Sequence, residues 1–154
     1  MNDIIVLDVS VVVAAVSSNE PHHAEALAFL QEIKARAGRL QVPATFLLEL
    51  YAVLNRSPRE IRRLGFFTED DPLYVELRPV DERLVQSILQ WMQNKMRGQS
   101  PTRGADLAYV AVAVDLNLPL VTLDNGLRKF KDAGLPIYSP QEKLDEWNLK
   151  QEAG

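Results

Sequence analysis

The chain has 154 residues, a length that suits one domain, and apolar residues make up 47% of it. That apolar content is enough to build a hydrophobic core, so an intrinsically disordered protein is excluded. The absence of cysteine excludes disulfides, thiolate metal sites and cysteine nucleophiles, and the net charge of -4 excludes a general basic coat for nucleic acid.

The N-terminus lacks the basic segment that begins a secretory signal, and the absence of cysteine suits a reducing compartment. The apolar run from Ile4 to Val16 is interrupted by Asp8 and is shorter than the roughly 20 residues that span a bilayer. We therefore expect a cytoplasmic protein that does not enter a membrane.

The first part of the chain is predicted to form two strands and three helices. Ile4 to Leu7 is a β-branched and apolar run, typical of a strand that is buried on both faces. Asn19-Glu20-Pro21 is a helix-start signal, and Gly38 stops the helix that follows. In chain order we predict a strand at 4–7, a helix at 10–17, that second helix, a strand at 40–42 and a helix at 45–55.

The rest of the chain alternates helices with strands. Ser57-Pro58 opens one helix, and Asp81 caps another after a strand with two unlike faces at 73–77. Then come a helix at 105–116, a strand at 118–123, a short helix at 126–131, a strand at 137–138 and a polar C-terminal helix. Such alternation predicts an α/β fold, a three-layer α/β/α sandwich whose mainly parallel central sheet is covered on both faces.

Two acidic residues directly follow predicted strands. Asp8 comes after the first strand, and Asp124 comes after the strand at 118–123. Because parallel strands end at one edge of the sheet, where ligands bind in such folds, both carboxylates are expected there. Each also has a purely local interpretation, since Asp8 can cap the next helix and Asp124-Asn125-Gly126 can be a simple turn.

Two further acids lie on helices. Glu49 shares the helix at 45–55 with several leucines, so its carboxylate is expected to be partly buried and to have a role. Asp106 begins an otherwise almost wholly apolar helix. Its alternative role is to stabilise that helix, because its negative charge is attracted to the positive N-terminal end of the helix dipole. Four carboxylates in one pocket would repel one another and raise each other's pKa, a conflict that Mg²⁺ or Mn²⁺ would remove. The chemistry expected of such a site is metal-assisted phosphoryl hydrolysis.

Four stretches stand out by their order and spacing. They are Val6-Leu7-Asp8-Val9-Ser10, Leu48-Glu49-Leu50, Ala105-Asp106-Leu107-Ala108-Tyr109-Val110-Ala111 and Leu118-Pro119-Leu120-Val121-Thr122-Leu123-Asp124. Together they resemble the PIN domain family, and most closely its VapC-like ribonuclease toxins. The similarity runs from about Ile4 to Tyr138, so we expect a PIN-like nuclease domain at 1–140 and a C-terminal helix and tail at 141–154.

The resemblance implies roles for particular side chains. Asp8, Glu49, Asp106 and Asp124 look like the catalytic, metal-binding acids, and Ser10 and Thr122 look like polar residues beside them. Ser10 has the alternative role of a local backbone hydrogen bond. Two positions depart from the family pattern, because Val9 replaces a frequent threonine or serine and Leu127 replaces a frequent aromatic residue. Neither change removes a metal ligand.

Basic residues near these stretches are candidates for binding RNA. Arg59 and Arg63 lie on one face of the helix after Pro58, and Arg103 lies close in sequence to Asp106. Each could contact phosphates. The alternative is a solvated helix face for Arg59 and Arg63 and a simple loop charge for Arg103.

The leading hypothesis is a Mg²⁺- or Mn²⁺-dependent endoribonuclease, the toxin of a VapBC-type pair, with RNA as substrate, an antitoxin as partner and a homodimer left open. A catalytically weak or inactive PIN-like module that binds RNA or protein is the alternative from another class. A haloacid-dehalogenase-like phosphatase is a further alternative, but its second aspartate would stand at the position of Ser10.

Overall fold

The computed structural model describes residues 3–56, 73–96 and 104–154, which contain one five-stranded sheet. Its strands are β1 (Ile4–Leu7), β2 (Arg39–Pro43), β3 (Tyr74–Arg78), β4 (Leu120–Val121) and β5 (Ile137–Tyr138). They lie in the order β3-β2-β1-β4-β5, and every neighbouring pair is parallel. The chain therefore starts at the centre, builds outward through β2 and β3, and returns to the other side of β1 to add β4 and β5.

Seven α-helices lie within the described residues. They are α1 (Val9–Val16), α2 (His23–Ala35), α3 (Thr45–Arg56), α4 (Glu82–Lys95), α5 (Gly104–Leu116), α6 (Lys129–Asp132) and α7 (Pro140–Ala153). Helix α5 packs on β1, β2 and β4 with α4 beside it, while α1, α2 and α7 pack together. Ile5, Val6 and Leu7 are at most 1% exposed, so helices cover both faces of β1. The expected three-layer α/β/α fold with a parallel sheet is confirmed.

The strand predicted at 118–123 is shorter than expected. Only Leu120 and Val121 form β4. After Thr122, the next two backbone N–H groups donate to side-chain oxygens. The N–H of Leu123 donates to Ser10 Oγ at 3.1 Å, and the N–H of Asp124 donates to Thr122 Oγ1 at 3.0 Å. The helix predicted at 126–131 is instead a 3₁₀ turn at Asn125–Leu127 followed by α6.

The predicted start of the second helix is wrong. Residues 18–22 form turns and a bend, and α2 begins only at His23, so the helix does not start at Asn19-Glu20-Pro21 as predicted. Two backbone bonds, from Glu20 N–H to the Ser17 carbonyl and from His23 N–H to the Glu20 carbonyl, form these turns. The C-terminal end of α2 also lies before the predicted stop at Gly38. The helix ends at Ala35, and Ala37 takes a left-handed φ of 51°.

The last helix is held by a cap and by an aromatic contact. Ser139 and Glu142 form a capping box around Pro140, which is favoured in a first helical turn. Trp147 is 2% exposed and stacks on Phe29 of α2, with ring centroids 5.6 Å apart. Helix α7 therefore closes the layer that α1 and α2 begin. Within the described ranges, every helix is too short or too polar to cross a bilayer.

Candidate active site

The order of the strands predicts where along the edge of the sheet a ligand binds. Between β1 and β4 the chain's crossovers diverge to opposite sides of the sheet, and ligands in parallel α/β sheets bind beyond the carboxyl ends of strands at such a point. Asp8 directly follows β1, and Thr122 directly follows β4. We call the group formed there by Asp8, Ser10, Thr122 and Asp124 the β1–β4 junction.

Hydrogen bonds join the members of the β1–β4 junction. The Thr122 hydroxyl donates to Asp8 Oδ2 at 2.6 Å, across 114 positions of sequence. The same hydroxyl oxygen accepts from the N–H of Asp124, and Ser10 Oγ accepts from the N–H of Leu123. Asp8 is 4% exposed and Thr122 is 1% exposed. The junction therefore fixes a buried carboxylate between two strand ends.

The local interpretations of Asp8 and Asp124 are confirmed. Asp8 is the N-cap of α1, and its Oδ1 accepts from the N–H of Ser10 at 3.3 Å. Asp124 caps the 3₁₀ turn, and its Oδ1 accepts from the N–H of Gly126 at 2.8 Å. Each carboxylate has more than one acceptor position, so a capping bond leaves room for another ligand. Capping and a role in the site are compatible.

Glu49 approaches the same edge from α3. Its Oε1 accepts a hydrogen bond from the Tyr109 hydroxyl of α5 at 3.1 Å. Tyr109 is 1% exposed, and burial, followed by the charge of Glu49, raises the pKa of its hydroxyl, which therefore stays protonated and donates. Glu49 itself is half-buried, as expected from its position among the leucines of α3, although Leu48 beside it is 73% exposed.

The acids influence one another's protonation. Burial raises the pKa of Asp8 against the lowering effect of its hydrogen bonds to Thr122 and Ser10, and the charge of Asp124 raises it further. Burial also raises the pKa of Glu49, which the bond from Tyr109 lowers and the charges of Asp8 and Asp106 raise. Asp106 lies in the first turn of α5. The four acids therefore form an electrostatic series, from Asp124 through Asp8 and Glu49 to Asp106.

The acids of this series do not form a compact metal site among the described residues. Among residues 3–56, 73–96 and 104–154, no three acidic or histidine side chains are close enough together to hold a metal ion between them. The donor chemistry nevertheless suits a hard divalent cation, because all four groups offer carboxylate oxygens and like charges raise the pKa of two of them. Carboxylates that repel one another are expected to stay apart until a cation offsets their charge.

The structure brings six of the nine predicted site residues to the carboxyl edge of the sheet or its flanking helices. The three arginines proposed for RNA binding, Arg59, Arg63 and Arg103, lie outside the described residues. Tyr109, whose hydroxyl donates to Glu49, was not among the site residues expected from the sequence. A signal was available, since Tyr109 follows Asp106 by three positions and so shares its helix face.

Comparisons with known proteins agree with this architecture. The sequence model of one family, the PIN domain, matches residues 5–133. No curated protein matches the chain by sequence.

Several solved structures have a similar fold. VapBC2 from Rickettsia felis, bound to a promoter DNA fragment, aligns with a TM-score of 0.63 at 15% identity, over 88% of this chain and 98% of that one. DNA-bound VapBC from Salmonella typhimurium aligns with a TM-score of 0.59 at 20% identity, over 91% and 99%. The sarcin-ricin-loop-cleaving toxin VapC20 from Mycobacterium tuberculosis aligns with a TM-score of 0.57 at 18% identity, over 85% and 95%. At these identities the likeness establishes the shared fold.

Proposed function

This chain belongs to the PIN domain family, and from that membership we propose that it is a divalent-metal-dependent endoribonuclease that hydrolyses RNA phosphodiester bonds. The observation that carries the proposal is the β1–β4 junction, in which a buried Asp8 is held by Thr122 beside Asp124 and within electrostatic reach of Glu49. We assign the activity to residues 1–140, with the segment 141–154 as a C-terminal helix and tail.

In this proposal Asp8, Glu49, Asp106 and Asp124 hold Mg²⁺ or Mn²⁺ and are the catalytic acids. Such an ion supplies an activated water and neutralises charge on the phosphate. The residues of the chain position these acids: Thr122 orients the Asp8 carboxylate, Tyr109 orients that of Glu49, and Ser10 fixes the backbone before Asp124. Buried hydrogen bonds of this kind limit rotation of the side chains that must meet the ion.

The charge balance of the edge supports a cation there. Within the described parts of the chain, none of the ion pairs includes Asp8, Glu49 or Asp124. A buried carboxylate without a cationic partner is costly, and a bound divalent ion would offset that cost. The same acids without an ion would repel the phosphates of RNA, so the proposal needs both the acids and the metal.

We further propose that the enzyme is the toxin of a VapBC-type pair, restrained by an antitoxin protein. The support is the similarity of fold to the VapBC complexes and to the sarcin-ricin-loop-cleaving toxin VapC20. Arg59, Arg63 and Arg103 are proposed to contact RNA phosphates, and a homodimer remains part of the proposal.

The test is cleavage of a single-stranded RNA in the presence of Mn²⁺. Asp8→Asn should reduce cleavage to background, because it removes a charge from the centre of the acid series while leaving a side chain of the same size. Asp132→Asn, at an exposed acid in α6, is the matched control and should cleave like the wild type. Equal cleavage by Asp8→Asn and wild type would show that the activity lies elsewhere.

The open arrangement of the acids favours a second candidate, a weak or inactive PIN-like module that binds RNA or protein. This candidate predicts RNA binding without cleavage in the wild type, at any concentration of Mn²⁺. A gel shift and a cleavage assay on the same RNA separate the two functions.

A further inference from the structure

A polar cavity of about 190 Å³ lies next to the β1–β4 junction. It is lined by residues that follow β4 and β5 and by the beginning of α2, namely His22, Glu25, Thr122, Leu123, Asn125, Arg128 and Ser139. Thr122 directly follows β4 and Ser139 directly follows β5, so the cavity opens at the carboxyl edge of the sheet, on the side of Asp8 that faces β5. We call it the β4–β5 cavity.

The β4–β5 cavity adjoins two of the proposed catalytic acids, because two of its lining residues are bonded to them or follow them in the chain. Thr122 lines the cavity and also donates to Asp8 at 2.6 Å. Asn125 lines it and directly follows Asp124. A group seated here would therefore lie beside the acid series, at the edge where this class of sheet binds ligands.

The size of the cavity suits one part of a larger ligand. Pockets that enclose a whole small molecule usually measure about 300–1,000 Å³, whereas one ordered water needs only about 10–15 Å³. A volume of about 190 Å³ lies between these limits. It fits a single ring system of a polymer better than a complete free metabolite.

The charges around the cavity disfavour a phosphate as that group. Nη1 of Arg128 donates to both carboxylate oxygens of Glu142, at 3.0 and 2.9 Å, and Glu25, whose Oε1 contacts Nδ1 of His22, adds a second carboxylate to the lining. The Arg128 charge is thus already matched, and a further anion would face Glu25. Neutral ligands are favoured by this balance.

The lining instead offers the complement of a nucleobase. Arg128 and the Asn125 amide can donate, Glu25 and the Ser139 hydroxyl can accept, and Leu123 gives an apolar surface for a ring. Bases read in single-stranded RNA are recognised in this way, by hydrogen bonds to their polar edges and packing on their faces. We propose that the β4–β5 cavity binds the base of an RNA nucleotide next to the cleaved bond and so sets the base preference, an inference that rests on the proposed ribonuclease function.

Binding can be tested without any cleavage. Wild-type protein in chelator would be titrated with AMP, CMP, GMP, UMP and ribose 5-phosphate while its backbone amide signals are followed by NMR. At least one nucleotide should move the amides of Leu123 and Asn125, and ribose 5-phosphate should not. If ribose 5-phosphate moves the same signals equally, the cavity is a phosphate site; if no nucleotide moves them, it is not a base site. Either result overturns the proposal.

Variants then test the individual contacts. Asn125→Ala and Glu25→Gln should each weaken nucleotide binding by about three- to tenfold, the effect of losing one hydrogen bond. Asn94→Ala, at an exposed asparagine in α4, and Glu32→Gln, farther along α2, are the matched controls and should bind like the wild type. Controls that weaken binding as much as the cavity variants would contradict the assignment.

Cleavage of a randomised RNA pool links the cavity to the reaction. The preference for one base beside the cut should fall in Asn125→Ala and Glu25→Gln and persist in both controls, and an unchanged preference would refute the role in RNA recognition. A wild type that binds nucleotides but never cuts RNA would remove the ribonuclease proposal while leaving the binding result standing. The two failures are therefore distinguishable.

Discussion

Asp8 and Glu49 at the carboxyl edge of the sheet have raised pKa values, whereas Glu76 on β3 and Asp115 on α5 have lowered ones. Burial dominates the first pair, and neighbouring acids add to it. In the second pair, a hydrogen bond from Gln41, then the charge of Arg39, lowers the pKa of Glu76, and the bond and charge of Arg83 lower that of Asp115.

The geometry of the two regions explains the difference. Arg39 donates to Glu76 at 2.8 Å, and Arg83 makes a two-pronged contact with Asp115 at 2.9 and 3.1 Å. Asp8 instead accepts from Thr122 and Ser10, which orient its carboxylate without neutralising it. Acids paired with arginines stabilise the fold, whereas a buried acid without a cationic partner reduces stability, which fits the cation proposed to bind beside Asp8.

The largest expected difference between the two regions is in cleavage. Glu49→Gln should lower RNA cleavage by about a hundredfold, equivalent to about 2.7 kcal/mol of barrier, because it removes one carboxylate of the series. Glu76→Gln should leave cleavage near the wild-type rate and lower the unfolding midpoint, since its charge serves Arg39 and Arg78. Cleavage rates and urea midpoints of both variants decide this. Comparable losses of cleavage in both would erase the functional distinction.

The stabilisation of the fold by Mn²⁺ should depend on Asp8 at the edge of the sheet and not on Asp115. Mn²⁺ at about 100 times its Kd should add about 2.7 kcal/mol to the wild-type free energy of unfolding, a rise of about 5–10 °C in Tm. Asp8→Asn should lose most of this rise, and Asp115→Asn should keep it. Thermal melts with Mn²⁺ and with chelator measure the shift. A wild-type Tm that ignores both additions would favour the binding module over the nuclease.

The hydroxyl that holds Asp8 should matter for stability as well as for the site. Thr122→Val keeps the shape of a 1%-exposed side chain but removes the donor to Asp8 and the acceptor for the Asp124 N–H, which should cost about 1–3 kcal/mol. Thr122→Ser retains the hydroxyl and should recover cleavage more fully than stability. Urea unfolding and cleavage of the two variants, compared side by side, test the role of the hydroxyl. Equal cleavage by Val and Ser variants would remove Thr122 from the site.

The smallest expected effect is a pair of opposite pH dependences. The folded-state pKa of Asp8 lies above its ordinary value of 3.8, so the folded state loses stability as pH rises from 3.8 to the raised pKa. Asparagine has no carboxyl proton to lose. Asp8→Asn should therefore be more stable than wild type at neutral pH but not at acid pH. Asp115 has a lowered pKa, and its stabilisation is present above 3.8 and lost as pH falls through the folded value. Asp115→Asn should therefore be less stable than wild type at neutral pH.

Urea midpoints between about pH 3 and about pH 7 would reveal both trends. Asp8→Asn should approach the wild-type midpoint at about pH 3, where the Asp8 carboxyl is largely protonated in the folded and the unfolded state, whereas the deficit of Asp115→Asn should only begin to shrink there, because the Asp115 pKa in the folded state lies below 3.8. Shifts of the same sign for Asp8→Asn and Asp115→Asn at neutral pH would contradict the contrast between the two regions.

Much of the fold was predictable because local patterns carried it. The apolar runs at β1, β2 and β5 and the apolar α5 were recognised from the sequence. Boundaries that depend on competition were not recognised: β4 is cut short where Ser10 and Thr122 accept from the next backbone N–H groups, and α2 starts late where turns at Ser17–Glu20 and Glu20–His23 precede it. The competing bonds are partly distant, as between Leu123 and Ser10 across 113 positions, and partly local, as in the turns before α2, and hydrophobic periodicity reveals neither kind.

The sequence by itself determined which acids follow strands, and therefore that Asp8 and Asp124 share one edge of a parallel sheet. Only the tertiary structure decided their partners, through contacts such as Thr122 with Asp8 across 114 positions and Tyr109 with Glu49 across 60. The β4–β5 cavity, built from α2, the 3₁₀ turn and the residue after β5, was likewise invisible beforehand. The reason is physical: strand ends are set by local chain direction, whereas side-chain partners are set by how the layers pack.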